Sequence, residues 1–253
     1  MKLATWNVNS LRVRLPHLLD WLKTAQPDVV GLQELKCTDE QFPSAEIEAA
    51  GYQCVSNGQK TYNGVAIIAR HPIENVVRDM PNFADEQKRV IAATVNGVRI
   101  VNAYVVNGQS VGSDKYAYKL RWLAAFREGV RDELTDHPKL AVMGDFNIAP
   151  TPDDTHDAAQ WEGGILCSEP ERAGYKALLD LGLRDAYVIA SEKTGRFTWW
   201  DYRLASFQRD LGLRIDHVLL SPALACTRWD VELAPRRLER PSDHAPVITE
   251  LAL

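Results

Sequence analysis

Short Val- and Ile-rich runs recur along the whole chain, and most of them stop at or near a polar residue. The runs are Leu3–Val8, Val29–Leu32, Val65–Ala69, Val90–Val95, Val98–Val106, Leu140–Met143, Ile215–Leu220 and Val247–Leu251. Their length, β-branched content and Gly, Asn, Asp or Pro boundaries predict strands. Asn96-Gly97 between two of them predicts a two-residue hairpin. Helical spacing appears over Leu11–Ala25, Tyr116–Leu134 and Tyr175–Leu181. Many strands with few long helices predict an α/β chain in which two sheets pack face to face and helices cover the outside. No repeat, low-complexity tract or Gly/Ser linker divides the sequence, so one domain over residues 1–253 is expected.

Charge limits what such a chain can bind. Lys and Arg number 29 against 34 Asp and Glu, a net charge of -5, which excludes a simple polycation that coats nucleic acid or an anionic membrane. Local basic surface survives this balance: residues 115–131 hold Lys115, Lys119, Arg121, Arg127 and Arg131 against Glu128 alone. Cys37, Cys54, Cys167 and Cys226 lie far apart with no CxxC pair, so free thiols and a cytoplasmic location are expected. No apolar run reaches the roughly 18 residues of a membrane span, and no membrane partner is expected.

The chemistry collects at the strand ends. Asn7, Glu34, Tyr104 with Asn107 beyond it, Asp145 with Asn147, Asp216 and the pair Asp243-His244 all stand at or near the ends of apolar runs. Taken singly, an Asn or Asp there is usually a turn former or a helix cap; Asn7 could cap the helix near Leu11, and Asp243 could simply turn the chain. Glu34 follows a wholly apolar run, where an unpaired carboxylate is rare. Six strands delivering such groups to one edge of a core would build a cleft. Oxygen donors without clustered Cys or paired His suit Mg²⁺ or Mn²⁺ better than zinc. A carboxylate to take a proton from water and a His held by a second carboxylate complete a metal-assisted phosphodiester hydrolase. No phosphate loop, dinucleotide fingerprint or serine elbow is present.

Thr5-Trp6-Asn7-Val8-Asn9, Leu32-Gln33-Glu34, Asn102-Ala103-Tyr104, Gly144-Asp145-Phe146-Asn147-Ile148, Gly212-Leu213-Arg214-Ile215-Asp216 and Ser242-Asp243-His244-Ala245-Pro246 resemble, in order, the motifs of the endonuclease/exonuclease/phosphatase superfamily. Trp199-Trp200-Asp201-Tyr202-Arg203 and the Gly212–Asp216 stretch resemble its exonuclease III branch of apurinic/apyrimidinic endonucleases. The resemblance implies a four-layer sandwich of two packed mixed β-sheets flanked by helices. It implies a Mg²⁺-dependent DNA-repair enzyme acting on double-stranded DNA with abasic sites or 3′ blocks, leaving 3′-hydroxyl ends, and a monomer. Carried over to this chain, it makes Glu34 the principal metal ligand, with Asn7 and Asp243 on the metal side. Asp145 would activate the attacking water and Asn147 would position it. Asp216 would orient His244 toward the phosphate. Tyr104 would stabilise a phosphate or leaving oxygen, and Asn107 would add a phosphate contact. Trp199, Leu213 and Ile215 would line an apolar pocket for a flipped-out sugar without a base.

Four departures bear on these expectations. Val106 stands where relatives commonly carry Pro, Leu35 where Thr is frequent, and Asn9 where some place an Asp. Residues 154–174 fall in a region that varies among relatives and could block or admit an internal abasic site. A variant specialised for trimming 3′ ends is therefore one alternative. A lipid or inositol-phosphate phosphoesterase would share Glu34, Asp145, Asn147 and His244 but lack the two late motifs. A non-catalytic DNA-binding relative would have lost one of Glu34, Asp145, Asp216 or His244, and all four are present.

Overall fold

The computed structural model describes residues 1–252. The chain runs β1 (Lys2–Asn7), α1 (Leu11–Ala25), β2 (Val29–Gln33), α2 (Ser44–Ala49), β3 (Gln53–Asn57), β4 (Val65–Ala69), β5 (Glu74–Arg78), β6 (Val90–Val95) and β7 (Val98–Tyr104). It continues through α3 (Asp114–Asp136), β8 (Leu140–Asp145), α4 (Ala158–Trp161), α5 (Glu169–Leu179), β9 (Arg184–Asp185), α6 (Ala186–Ile189), β10 (Glu192–Thr194) and β11 (Trp199–Trp200). It ends with β12 (Gly212–Leu213), β13 (Asp216–Leu220), β14 (Ala225–Val231) and β15 (Val247–Ala252).

Two mixed sheets stack on each other. One has the order β10-β14-β15-β1-β2-β4-β3, the other β5-β6-β7-β8-β13-β9, and β11-β12 form a separate ribbon. Strand alternation divides each apolar run between two interfaces. Leu3, Val29, Val65 and Ile67 meet Ile100, Ala141, Met143 and Val218 between the sheets. The alternate residues of the first sheet, among them Ala4, Trp6, Val30 and Leu32, pack under Leu11, Leu18, Trp21 and Leu22 of α1. Val101, Ala103 and Val142 do the same under Trp122, Phe126 and Val130 of α3. Helix, sheet, sheet, helix is the expected four-layer sandwich. The Asn96-Gly97 hairpin forms as expected, with Val95 opposite Val98 and positive φ at both turn residues. The short strands β9 to β12 and the strands β3, β5 and β14 carry too little apolar alternation to be read in advance. Among the described residues no helix is long and apolar enough to cross a membrane.

Topology puts the chemistry at one edge. β1 and β2 run parallel, as do β7 and β8, while β15 and β13 run antiparallel to β1 and β8 respectively. The C-terminal ends of four strands therefore meet the N-terminal ends of two others. Tyr104 and Asp216 both pair in register with Asp145. A polar staple fixes one sheet against the other just beneath: Gln33 donates to Thr5 (2.9 Å) and to Asn102 Oδ1 (2.6 Å), and Asn102 donates to the Leu32 and Ala66 carbonyls. Gly31 leaves room for it, since a Cβ there would fall 2.7 Å from Asn102 Oδ1.

A buried ionic network supports the same edge from behind. Arg214 donates to Asp154 (2.6 Å) and Asp185 (2.7 Å), and its Nη1 lies 3.0 Å from His217 Nδ1, whose Nε2 meets the Ile148 carbonyl at 2.8 Å. Burial, reinforced by Arg214, pushes His217 from its ordinary 6.5 down to about 4. The unfolded chain binds that proton near pH 6.5 and the native state only near 4, so stability is fully present above 6.5 and falls as the pH is lowered through this window. At about 1.4 kcal/mol per unit, the loss by pH 4 should be about 3 kcal/mol. Denaturant unfolding between pH 7 and 4 should show this slope and His217→Gln should flatten it; a variant with the parental slope would exclude His217 as its source.

Candidate active site

Asp145 lies at the centre of the edge. Its Oδ2 accepts from Asn7 Nδ2 (2.9 Å) and Asn147 Nδ2 (3.3 Å), and its Oδ1 from the Asn147 backbone N–H (2.8 Å). Gly144 is required just before it: φ is +149°, and a Cβ would collide with the Ala103 carbonyl at 1.9 Å. Phe146 turns into the core beside Tyr175 and His217, as expected. Asn147 sits at φ 50°, a left-handed conformation that Asn tolerates. Its side chain donates to the Val105 carbonyl (3.0 Å) and accepts from Asn107 (3.1 Å).

His244 faces Asp145 from the other side. Its Nδ1 is 2.8 Å from Asp216 Oδ2 and its Nε2 is 3.6 Å from Asp145 Oδ2. Burial alone would strip the proton from this imidazole, but Asp216 and Asp145 outweigh it and raise the group to about 10. His244 is therefore an imidazolium donor. Burial, with the nearby Asp216 charge, raises Asp145 to about 7 against the opposing pull of His244. A base poised there matches neutral-pH proton abstraction.

Glu34 completes the ring of carboxylates. Its Oε1 accepts from Asn7 Nδ2 (2.9 Å) and the Tyr104 hydroxyl (3.0 Å), and its Oε2 pairs with Lys36 Nζ (2.9 Å). Glu34 and Lys36 both adopt φ 54°, strain of the kind that persists where function needs it. Burial and the adjacent Glu34 and Asp145 carboxylates keep the Tyr104 phenol protonated well beyond its usual range. Asn7 does not cap α1, whose N-cap is Ser10 without a side-chain bond. Instead one amide nitrogen ties Glu34 to Asp145, while Asn7 Oδ1 accepts from Asn9 N–H (2.9 Å). Asp243 lies one step outward, its oxygens taken by Asn9 Nδ2 (3.0 Å) and Trp199 Nε1 (3.0 Å).

Asp145 and Asp216 place carboxylate oxygens within 4.8 Å of each other and of a His244 ring nitrogen; with both His244 nitrogens protonated, the carboxylates are the metal donors of this cluster. The donor set suits a hard cation. Asp216 Oδ1 is buried without a hydrogen-bond partner. Four carboxylates, Glu34, Asp145, Asp216 and Asp243, gather at this edge, with Lys36 paired to Glu34 and His244 to Asp216.

The model of the endonuclease/exonuclease/phosphatase family matches residues 4–244. The chain belongs to this family. An exodeoxyribonuclease III from Haemophilus influenzae is 35% identical across 99% of both chains. The fold superimposes on a 3′ phosphatase from Neisseria bound to product DNA hairpin (49% identity, TM-score 0.96) and on a 3′–5′ exonuclease from Neisseria meningitidis (51%, 0.97), each over both whole chains. An AP endonuclease from Archaeoglobus fulgidus matches at 34% and 0.95, also over both whole chains. The chain falls in the exonuclease III branch and is a DNA-repair phosphodiesterase, which sets aside the lipid phosphoesterase alternative.

The three residues expected to line the sugar pocket lie together in one apolar cluster. Leu213 and Ile215 are fully buried and pack with Ala149, Leu166 and Cys167, and only Trp199 is partly exposed. The segment that closes over them is the 154–174 region: Thr155 bridges Leu213, and Ala149 N–H donates to the Leu166 carbonyl (2.8 Å). Sequence motifs name these residues but not their neighbours. They also leave out Lys36 and Thr198, whose Oγ1 accepts from Ile215 and Asp216 N–H (3.1 Å each), and do not reveal that the Ser242 hydroxyl donates to the Asn7 backbone carbonyl (2.6 Å). Arg89 is a further omission, stacked 4.8 Å over the Tyr104 ring. The basic stretch on α3 is less exposed than its composition implies. Lys119 is fully buried against Glu171, and Arg127 and Arg131 pair with Glu128.

Proposed function

We propose that this enzyme is a Mg²⁺-dependent phosphodiesterase, with Mn²⁺ able to substitute, that clears blocked 3′ ends and trims 3′ termini of double-stranded DNA in preference to cutting at internal abasic sites. The observation that carries the preference is the packing: Leu166 and Cys167 share one buried cluster with Leu213 and Ile215, the residues a flipped-out sugar would need. A terminal 3′ phosphate needs no such pocket. The names of the two Neisseria structures, a 3′ phosphatase and a 3′–5′ exonuclease, agree with this.

The cation would be held by Glu34, next to Asp145 and Asp216, where it would supply charge stabilisation to a phosphoryl oxygen. The chain's own groups do the rest. Asp145 Oδ2 takes a proton from water while the Asn7 and Asn147 amides hold the carboxylate in place. His244, oriented by Asp216, donates to a phosphoryl oxygen, and Asn107 and Tyr104 supply further donors on the other side. Donors fixed before reaction stabilise the charge of an in-line transition state without reorganising. A groove of about 620 Å³ lined by Tyr62, Arg89, Asn107 and Lys115 extends from Tyr104 and offers a path for a DNA strand. Every site group stands on one two-sheet sandwich, which supports a single catalytic domain, and a monomer is proposed with it. Four free thiols support a reducing cytoplasmic setting.

Three duplexes test the reading: a nick with a 3′ phosphate, a recessed normal 3′ end and an internal abasic analogue. In Mg²⁺ the 3′ phosphate should be removed at least about tenfold faster, in kcat/KM, than the abasic site is cut. Abasic incision as fast as 3′ processing would overturn the preference.

A further inference from the structure

Lys119 and Glu171 form an ion pair in which both side chains are fully buried, and the catalytic arrangement does not use it. Each partner holds a different working part. Lys119 Nζ, from α3, donates to the Asn147 carbonyl (2.7 Å) and the Asn107 carbonyl (3.2 Å), the two residues whose amides meet beside Asp145. Glu171, in the first turn of α5, accepts from Leu166 N–H (3.0 Å), Ser168 N–H (3.1 Å) and the Ser168 hydroxyl (2.6 Å). Ser168 is also tied to the Tyr116 hydroxyl of α3 at 2.7 Å.

Leu166 needs this grip. Its φ of 71° is a left-handed conformation that a leucine adopts only when its surroundings impose it. That conformation puts its side chain in the cluster with Leu213 and Ile215. The two ends are also in direct packing contact: at Gly108, next to Asn107, an added Cβ would lie 3.1 Å from both Ile165 Cδ1 and Lys119 Cδ.

We infer that the Lys119–Glu171 pair is a specificity-determining clamp, holding Leu166 over the sugar pocket while fixing the Asn107–Asn147 phosphate side, so that closing the pocket and shaping the 3′-end site are one device. The inference rests on the 3′-end preference proposed above. Both residues are positioning residues, acting through Leu166, Asn107 and Asn147. A mere scaffold would affect all substrates alike; a clamp changes their ratio.

Removing one partner would strand a buried charge, so the test replaces both, Lys119→Met together with Glu171→Met. Ser168→Ala, which loses only hydroxyl contacts, serves as a second, milder clamp variant if the double one does not fold. Leu166→Gly opens the pocket directly and suits the positive φ. For each folded protein, kcat and KM are measured separately on the 3′-phosphate nick and the abasic duplex. The double variant should raise the abasic-to-3′-phosphate ratio of kcat/KM by about tenfold, Ser168→Ala in the same direction by less, with KM for the abasic duplex falling. If Leu166→Gly raises the ratio and neither clamp variant does, the clamp is refuted and the pocket reading stands. If Leu166→Gly leaves the ratio unchanged, or the parent already cuts abasic sites as fast as it removes 3′ phosphates, the pocket reading itself fails.

Discussion

Asp145→Asn should lower turnover on all three DNA substrates together, by about a thousandfold or more, with little change in fold. The substitution is nearly isosteric. One side-chain oxygen remains at position 145 to accept from the Asn147 N–H or the Asn7 amide, where the carboxylate serves both, and the new amide cannot take a proton from water. His244 would also lose one of the two carboxylates that keep it protonated. The effect must be common to all substrates because Asp145 serves as proton acceptor for the attacking water, whatever lies beyond the scissile bond. Initial rates on the nick, the recessed end and the abasic duplex check this. One activity surviving near its parental rate would show that it uses another site.

Withdrawal of divalent cation should have a comparable effect. Chelation should stop all three activities, and Mg²⁺ or Mn²⁺ should restore them. Four carboxylates gathered at one edge, with Asp216 Oδ1 unpartnered, concentrate negative charge that a bound cation offsets. The same concentration of charge predicts stabilisation of the folded enzyme: at a hundred times Kd, a cation that binds only the native state adds about 2.7 kcal/mol. Glu34→Gln should weaken both effects, shifting the Mg²⁺ dependence of rate and of thermal unfolding to higher concentration. Lys36 already sits on Glu34 Oε2 at 2.9 Å, so the cation must share that carboxylate with an ammonium or displace it. Full activity in chelator, or a Glu34→Gln enzyme with the parental Mg²⁺ dependence, would refute the assignment.

The acidic net charge fits such an enzyme. Much of the basic composition is internal: Lys119, Arg214 and Arg236 are buried, two of them in ion pairs. Several acids are gathered in the cleft, where a divalent cation lets them face a phosphate.

Legibility followed sequence distance. β1, β2, β7 and β8 were readable because a short apolar, β-branched run and its boundaries are local, and α1 was readable to the residue. Their polar ends were readable because each motif is a few residues long. The meeting of Asn7, Glu34, Asp145, Asp216 and His244 could be anticipated, since parallel strand ends in packed sheets collect at one edge. What escaped were residues whose role depends on a partner outside their own segment: Lys36 against Asn9, Thr198 under Asp216, Arg89 on Tyr104. Asn7 had a plausible local role as a cap, and tertiary contacts gave it another.

By itself, the sequence determined the α/β class, the family motifs and the identity of the hydrolytic groups, because strand patterning and catalytic chemistry are written in short local strings. Only the tertiary structure decided what packs against Leu213 and Ile215: Leu166, in a left-handed conformation, bonded to Glu171 five residues later, which pairs with Lys119, 52 positions before it in another helix. No local pattern specifies such a contact; it exists only when α3 and α5 pack side by side and a buried charge must find its partner.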